Sequence, residues 1–145
     1  DVPSLIAARA SFGAWNKEFA PNRTDFDWLS RDAGEVDKYV ADPLCGFPVS
    51  VGTWLAVLAA IRACARDRWL AALPSGLPFH SLGGGADPVR AGVQAMARLG
   101  ARLQRAGLRD VTVRINPDTR HEALNDVNRD AVMADFTAWL DARFG

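Results

Sequence analysis

The chain predicts an α/β fold, a helical block followed by a βαβα unit with parallel strands, and three observations carry that expectation. Val111, Val113 and Ile115 alternate with Thr112 and Arg114, the period of a strand with one face more buried than the other. Residues 88–106 repeat apolar positions at Val89, Val93, Met96, Gly100 and Leu103, with Arg90, Gln94, Arg98, Arg102 and Arg105 on the other sides, which is the stripe of an amphipathic helix. The run Leu73-Pro74-Ser75-Gly76-Leu77-Pro78 is turn-rich and divides the chain into 1–73 and 74–145. Strand, helix and strand at this spacing form a right-handed crossover in a parallel sheet.

In chain order, residues 4–19 place Leu5, Ile6, Phe12, Trp15 and Phe19 at helical spacing until Pro21 interrupts. Residues 30–40 read as a short helix with Ser30 or Asp32 as the cap that accepts from its first free N–H groups. Residues 53–73 predict the longest upstream helix, with Trp54, Leu58, Ile61 and Leu70 on one side. That stripe, with Leu55, reads either as core or as the lining of an apolar pocket. No strand is expected before a short one over 78–83. The helix over 88–106 has Pro88 suited to its first turn and Gly107 to its C′ position. After the strand over 111–115, a helix over 128–143 is expected to bury Val132, Met133, Phe136, Trp139 and Leu140. A parallel sheet needs several strands and cover on both faces, yet only two are convincing here, so the expected fold is part of a larger one.

The chain has 145 residues, 17 Lys plus Arg against 17 Asp plus Glu, and 49% hydrophobic residues. That balance is globular and carries no basic footprint for nucleic acid or an anionic membrane. Cys45 and Cys64 lie without metal-ligand spacing, so free thiols, no metal and no cofactor are expected. The longest uncharged run, 47–61, is short of the ~20 residues of a membrane span. No signal peptide is visible at the start, and a cytoplasmic location is the expectation.

Two loops leave the carboxyl ends of the expected strands, GGGADPVR at 83–90 and NPDTRHEAL at 116–124. Ligand and catalytic groups of an open parallel sheet sit at those ends. One loop offers Asp87 and the other His121. A carboxylate beside an imidazole fixes the tautomer whose second nitrogen takes a proton, the orienting half of a nucleophile–His–Asp triad. The same spacing also allows Asp87 to cap the following helix and His121 to be an ordinary loop residue.

NRTDFDWLSRD at 22–32, DPLCGF at 42–47, LP…GGADPV at 77–89 and GLRDVTVRINPDTRHEALNDVNRDAVMADFTAWL at 107–140 resemble the C-terminal half of bacterial α/β-hydrolases. The type is that of monoacylglycerol lipases and lysophospholipases, often grouped with serine aminopeptidases. The resemblance implies a cap over an acyl pocket for 1–73 and part of the hydrolase core for 74–145. It implies Asp87 as triad acid, His121 as triad base and a small lipid-like ester as substrate. The G-x-S-x-G elbow and the oxyanion loop belong to the N-terminal half of such enzymes; the resemblance implies that this chain starts after both, so that half is an expected partner.

Other readings remain beside this one. The chain is also readable as a non-catalytic remnant or helical binding module. Phe79-His80-Ser81-Leu82-Gly83-Gly84 is similar to a lipase elbow with Phe79 in place of the first glycine, which would make an autonomous esterase of Ser81, Asp87 or Asp118, and His121. An elbow needs a helix directly after the serine, however, and three glycines before Asp87-Pro88 do not supply one. The glycines lack the lysine and hydroxyl of a phosphate-binding loop and read as a place of close backbone approach. Cys45 reads as a packed thiol, and Asp25 and Asp27 as turn residues.

Overall fold

A computed structural model of the chain describes residues 2–89 and 93–145. The N-terminal stretch is helical from α1 (Leu5–Ala8) through a π-helical turn (Arg9–Gly13) into α2 (Ala14–Lys17). The Ser4 hydroxyl accepts from the Ala7 N–H at 3.2 Å, satisfying one orphan donor of its first turn. Phe12 projects from this stretch into an aromatic cluster, stacked on Trp28 at 6.0 Å and near Trp15 and Trp54 at 5.4 and 5.8 Å.

Helix α3 (Ala33–Ala41) is capped by Asp32, whose Oδ1 accepts from the Gly34 and Glu35 N–H groups. Ser30, the other expected cap, accepts from the Asp32 N–H and donates to the Asn125 carbonyl at 2.8 Å. The long helix expected over 53–73 is two helices, α4 (Val51–Cys64) and α5 (Asp67–Ala71), separated by an extended Arg66. The cause is tertiary. Arg102 donates to the Ala65 carbonyl at 2.5 Å and to Asp67 Oδ1 at 2.7 Å, so it takes an orphan carbonyl at the end of one helix and a carboxylate at the start of the next.

Strands β1 (Phe79–Gly84) and β2 (Val111–Asn116) pair in parallel with Phe79 against Val111 and Gly84 against Asn116. Between them runs α6 (Val93–Arg105), and α7 (Arg129–Phe144) follows β2. Residues 90–92 of the expected crossover helix, and the Val93 side chain on its stripe, lie outside what is described. Pro88 sits in a turn before the helix. At the other end the expected cap holds: Gly107 has φ +109°, Gly107 N–H donates to Gln104 O and Leu108 N–H to Leu103 O, with Leu103 and Leu108 both buried.

The two helices cover opposite faces of the sheet, as a parallel pair requires. On the α6 side, Gly100 lies against Val113 and Gly83 against Met96. On the α7 side, the Trp139 indole N–H donates to Thr112 Oγ1 at 2.9 Å, Arg114 pairs with Asp135, and Arg143 forks onto Asp110 at 2.5 and 2.7 Å. His80 packs edge-on to Phe136 and Trp139. Of the apolar residues expected to be buried on α7, Val132 is buried, Phe136, Trp139 and Leu140 are half-buried, and Met133 is exposed. A two-stranded sheet is too narrow to cover the whole helix.

The α4 stripe departs further from expectation. Leu55, Leu58 and Ile61 are 63%, 52% and 58% exposed within this chain, while Trp54 turns inward, toward Phe12. The accessible surface is 9307 Å² for 15.7 kDa, against about 7,300 Å² for a closed monomer of that mass. The chain exposes more surface than a closed monomer of that mass, and Leu44, Phe47, Leu55 and Ile61 are among the large apolar side chains left in water.

Candidate active site

The geometry of the site begins at two glycines. A Cβ on Gly84 would lie 2.1 Å from the Thr119 carbonyl oxygen and 2.2 Å from that of Arg120, and a Cβ on Gly85 would lie 2.3 Å from the Pro117 oxygen. The loop after β1 can therefore lie directly on the loop after β2 only because neither position carries a side chain. Ala86 N–H donates to Thr119 O at 3.0 Å and Gly85 N–H to Asn116 O at 2.7 Å, which joins the two loops. This contact brings Asp87 beside His121.

His121 Nδ1 lies 3.1 Å from Asp87 Oδ2, while Asp87 Oδ1 accepts from the Val89 N–H at 2.9 Å. One oxygen of Asp87 thus makes a turn with Val89 and the other meets the imidazole, while the start of the helix that Asp87 was expected to cap lies partly outside the described residues. With the Nδ1 proton directed at the carboxylate, Nε2 of the neutral ring carries the lone pair. The side chains are 37% and 20% exposed, so the pair lies at a half-open edge of the fold. The hydrogen bond to Asp87 raises the His121 pKa above its ordinary value; burial opposes this, and the charges of Asp87 and Glu122 add to it. Burial lowers the His80 pKa instead.

The opposite signs give a direct check, because these are the chain's two histidines. Titrated by NMR, His121 should have its midpoint above 6.5 and His80 below it. For His121 the raised folded pKa means that the stabilisation is fully present below the unfolded pKa and is lost as pH rises through the folded value. For His80 the sign reverses, and the fold loses stability as pH falls through the unfolded pKa. Asp87→Asn should remove the elevation of His121 and leave His80 where it is.

Residues that the sequence did not single out hold the His121 loop from the other side. The Trp28 ring lies 4.9 Å from the imidazole. Glu122 N–H donates to the Leu29 carbonyl at 2.8 Å, and the Arg120 guanidinium donates to the Asp27 and Ser30 carbonyls while lying 4.1 Å over the Phe19 ring. Asp126 is fully buried. It accepts from Arg31 Nε at 2.9 Å, from the Arg120 N–H at 2.9 Å and from the Val127 N–H at 2.7 Å. Asn128 closes the group through Arg31 Nη2 and the buried Thr119 hydroxyl. Arg31 and Asp126 are separated by 95 positions, and no local pattern announces such a pair.

The other candidates fall away from this centre. Ser81 lies inside β1 opposite Val113, and a turn rather than a helix follows the strand. Asp118 is exposed in the β2 loop. Cys45 is half-buried, with burial and the nearby Asp42 pushing its thiol pKa up, the opposite of an activated thiol. Burial pushes the Asp27 carboxyl up, but the Thr24 hydroxyl and the Arg23 and Thr24 N–H groups outweigh it and hold it below the usual range. That carboxylate closes a turn. Among the described residues no group of His, Cys, Asp or Glu is placed to hold a metal, and no helix is long and apolar enough to cross a membrane.

Two adjoining apolar cavities share Phe12, Phe26, Gly46 and Phe47, and Trp28 lines the smaller of them. One of about 180 Å³ is lined by Phe12, Phe26, Trp28, Tyr39 and Phe47, and the other, about 460 Å³, shares Phe12, Phe26 and Phe47 and has Arg9 and Lys17 at its rim. The larger volume is in the range of small-molecule sites.

Parallel strands with helices on both faces make this part of an α/β-hydrolase fold. The chain belongs to the serine aminopeptidase S33 family, whose model matches residues 2–128. Among solved structures it is similar to a highly thermostable carboxyl esterase from Bacillus coagulans, crystallised in complex with glycerol, with a TM-score of 0.83 at 22% identity. The match covers 97% of this chain and 46% of the esterase, so the chain spans about half the length of that enzyme. No curated protein matches the chain by sequence.

Proposed function

We propose that the chain is the cap and C-terminal part of a serine hydrolase that cleaves carboxylic esters of the monoacylglycerol or lysophospholipid type. Residues 1–73 serve as the cap and 74–145 as part of the core, Asp87 is the acid, His121 is the base, and the serine comes from an N-terminal half carrying the elbow and oxyanion donors. The observation that carries this reading is the 3.1 Å contact from His121 Nδ1 to Asp87 Oδ2. The exposed α4 face and the excess surface support it, since a second half of the enzyme would cover them. The adjoining apolar cavities, the smaller lined by Trp28, support an acyl substrate.

In this mechanism the serine oxygen attacks the ester carbonyl as His121 Nε2 takes its proton, and the tetrahedral intermediate collapses as the same proton passes to the leaving alcohol. Water then repeats the sequence on the acyl-enzyme, returning the serine hydroxyl and releasing the fatty acid. Asp87 stabilises the imidazolium in both halves without itself being protonated.

A fluorophosphonate probe tests the reading. It should leave the 145-residue chain unlabelled and label the protein extended by the in-frame sequence encoded upstream, on a serine of a G-x-S-x-G elbow. Labelling of the short chain that disappears in Ser81→Ala would replace this reading with the autonomous esterase. No labelling of either form would leave the non-catalytic reading.

A further inference from the structure

We propose that the Arg31–Asp126 ion pair is a positioning latch for His121, holding the backbone on both sides of the imidazole so that it stays against Asp87. The inference rests on the reading of His121 as the general base, and it names residues that touch neither the imidazole nor a substrate.

Burying a carboxylate completely is costly unless donors fill its lone pairs, and the Asp126 side chain has no exposure at all. Its donors are arranged around the functional loop. Oδ2 accepts from the N–H of Arg120, the residue immediately before His121, and Oδ1 accepts from Arg31 Nε. Arg31 belongs to the same short segment as Trp28, which walls the imidazole, and Leu29, whose carbonyl takes the N–H of Glu122, the residue immediately after His121. Both neighbours of His121 are therefore tied, one to Asp126 and one to the 27–31 segment, and the Arg31–Asp126 pair joins the two ties. With the backbone held in this way, the ring has Trp28 on one side and Asp87 at its Nδ1. The charged groups that act on the imidazole are Asp87 from the β1 loop and Glu122 from its own loop.

Two variants separate positioning from simple electrostatics, read by NMR titration of the imidazoles in the 145-residue chain. Asp126→Asn removes a negative charge and presents an amide donor where the Arg120 or Arg31 donor now points. Arg31→Gln removes a positive charge at a partly exposed site and is the milder change. If charge alone coupled these residues to His121, its midpoint would fall in Asp126→Asn and rise in Arg31→Gln. A latch requires it to fall in both, by about half a pH unit or more as the Asp87 contact loosens, with the His80 midpoint unmoved. Shifts of opposite sign, an unchanged His121 or an equal movement of His80 would overturn the proposal. If Asp126→Asn does not fold, Arg31→Gln decides alone, because a fall there has the sign that charge removal cannot give.

In the extended, active protein the same variants should lower kcat about tenfold or more with KM kept. The titration needs no turnover, so the two ideas fail separately. Shifts in the predicted sense without any esterase activity leave the latch and remove the hydrolase, whereas normal hydrolysis with an unshifted His121 removes the latch alone.

Discussion

Turnover of the extended protein should fall by about 10³-fold or more in His121→Ala and in Asp87→Asn. The two losses have different origins. Without the imidazole no group removes the serine proton or returns it to the leaving alcohol. In Asp87→Asn the imidazole is present, and an asparagine can still accept from the Val89 N–H that now bonds Oδ1. Its amide, turned toward Nδ1, favours the ring with the proton on Nε2, which is the wrong tautomer for a base. The unfolding curve of the Asn variant should stay close to that of the parent. The measurement is kcat/KM on a short-chain ester together with a urea titration. A rate loss under tenfold in a folded variant would remove both residues from the mechanism.

The second large effect is structural and needs no catalysis. Gly84→Ala would place a methyl group 2.1 and 2.2 Å from two backbone carbonyl oxygens, those of Thr119 and Arg120. Neither is the free end of a flexible side chain. Thr119 is fully buried, its carbonyl accepts from Ala86, and Arg120 is anchored through its own N–H and guanidinium. The strain should cost about 3 kcal/mol or more, read as a lower urea midpoint at constant slope. The His121 titration should drop in the same variant, because the loop that must move is the one carrying the imidazole. Gly13→Ala is the control: its Cβ would have its nearest neighbour at 3.9 Å, and it should unfold at or above the parent midpoint. Equal stability of Gly84→Ala would mean that the two loops do not lie on each other as described.

Much of the fold was legible because its signals are local. The alternation at 111–115 marked β2 to within a residue, Gly107 marked the end of α6, and Asp32 was one of two named caps for α3. The Asp87–His121 pairing was also within reach, since both residues follow strands that a crossover places side by side. What failed was set by tertiary contacts. The break between α4 and α5 is imposed by Arg102 from another helix, and a hydrophobic stripe cannot report it. The α4 stripe reads as core or pocket; periodicity says which side is apolar and not what lies against it, and this chain leaves that side exposed. The Arg31–Asp126 pair was invisible for a related reason: each residue alone reads as an ordinary polar group beside a helix start, and only the fold sets them 2.9 Å apart.

The sequence separation of these contacts bears on the order in which the molecule assembles. The acid and imidazole are 34 positions apart, within one crossover unit, whereas the bonds from Ser30 and Arg31 to the far loop span 95. Closing a longer loop carries a larger entropic cost, and distant contacts tend to be made late. The strand–helix–strand portion can therefore form its acid–imidazole contact before residues 27–31 close onto the loop that carries His121. Within this chain, the contacts that steady the His121 loop are thus among those with the largest closure cost.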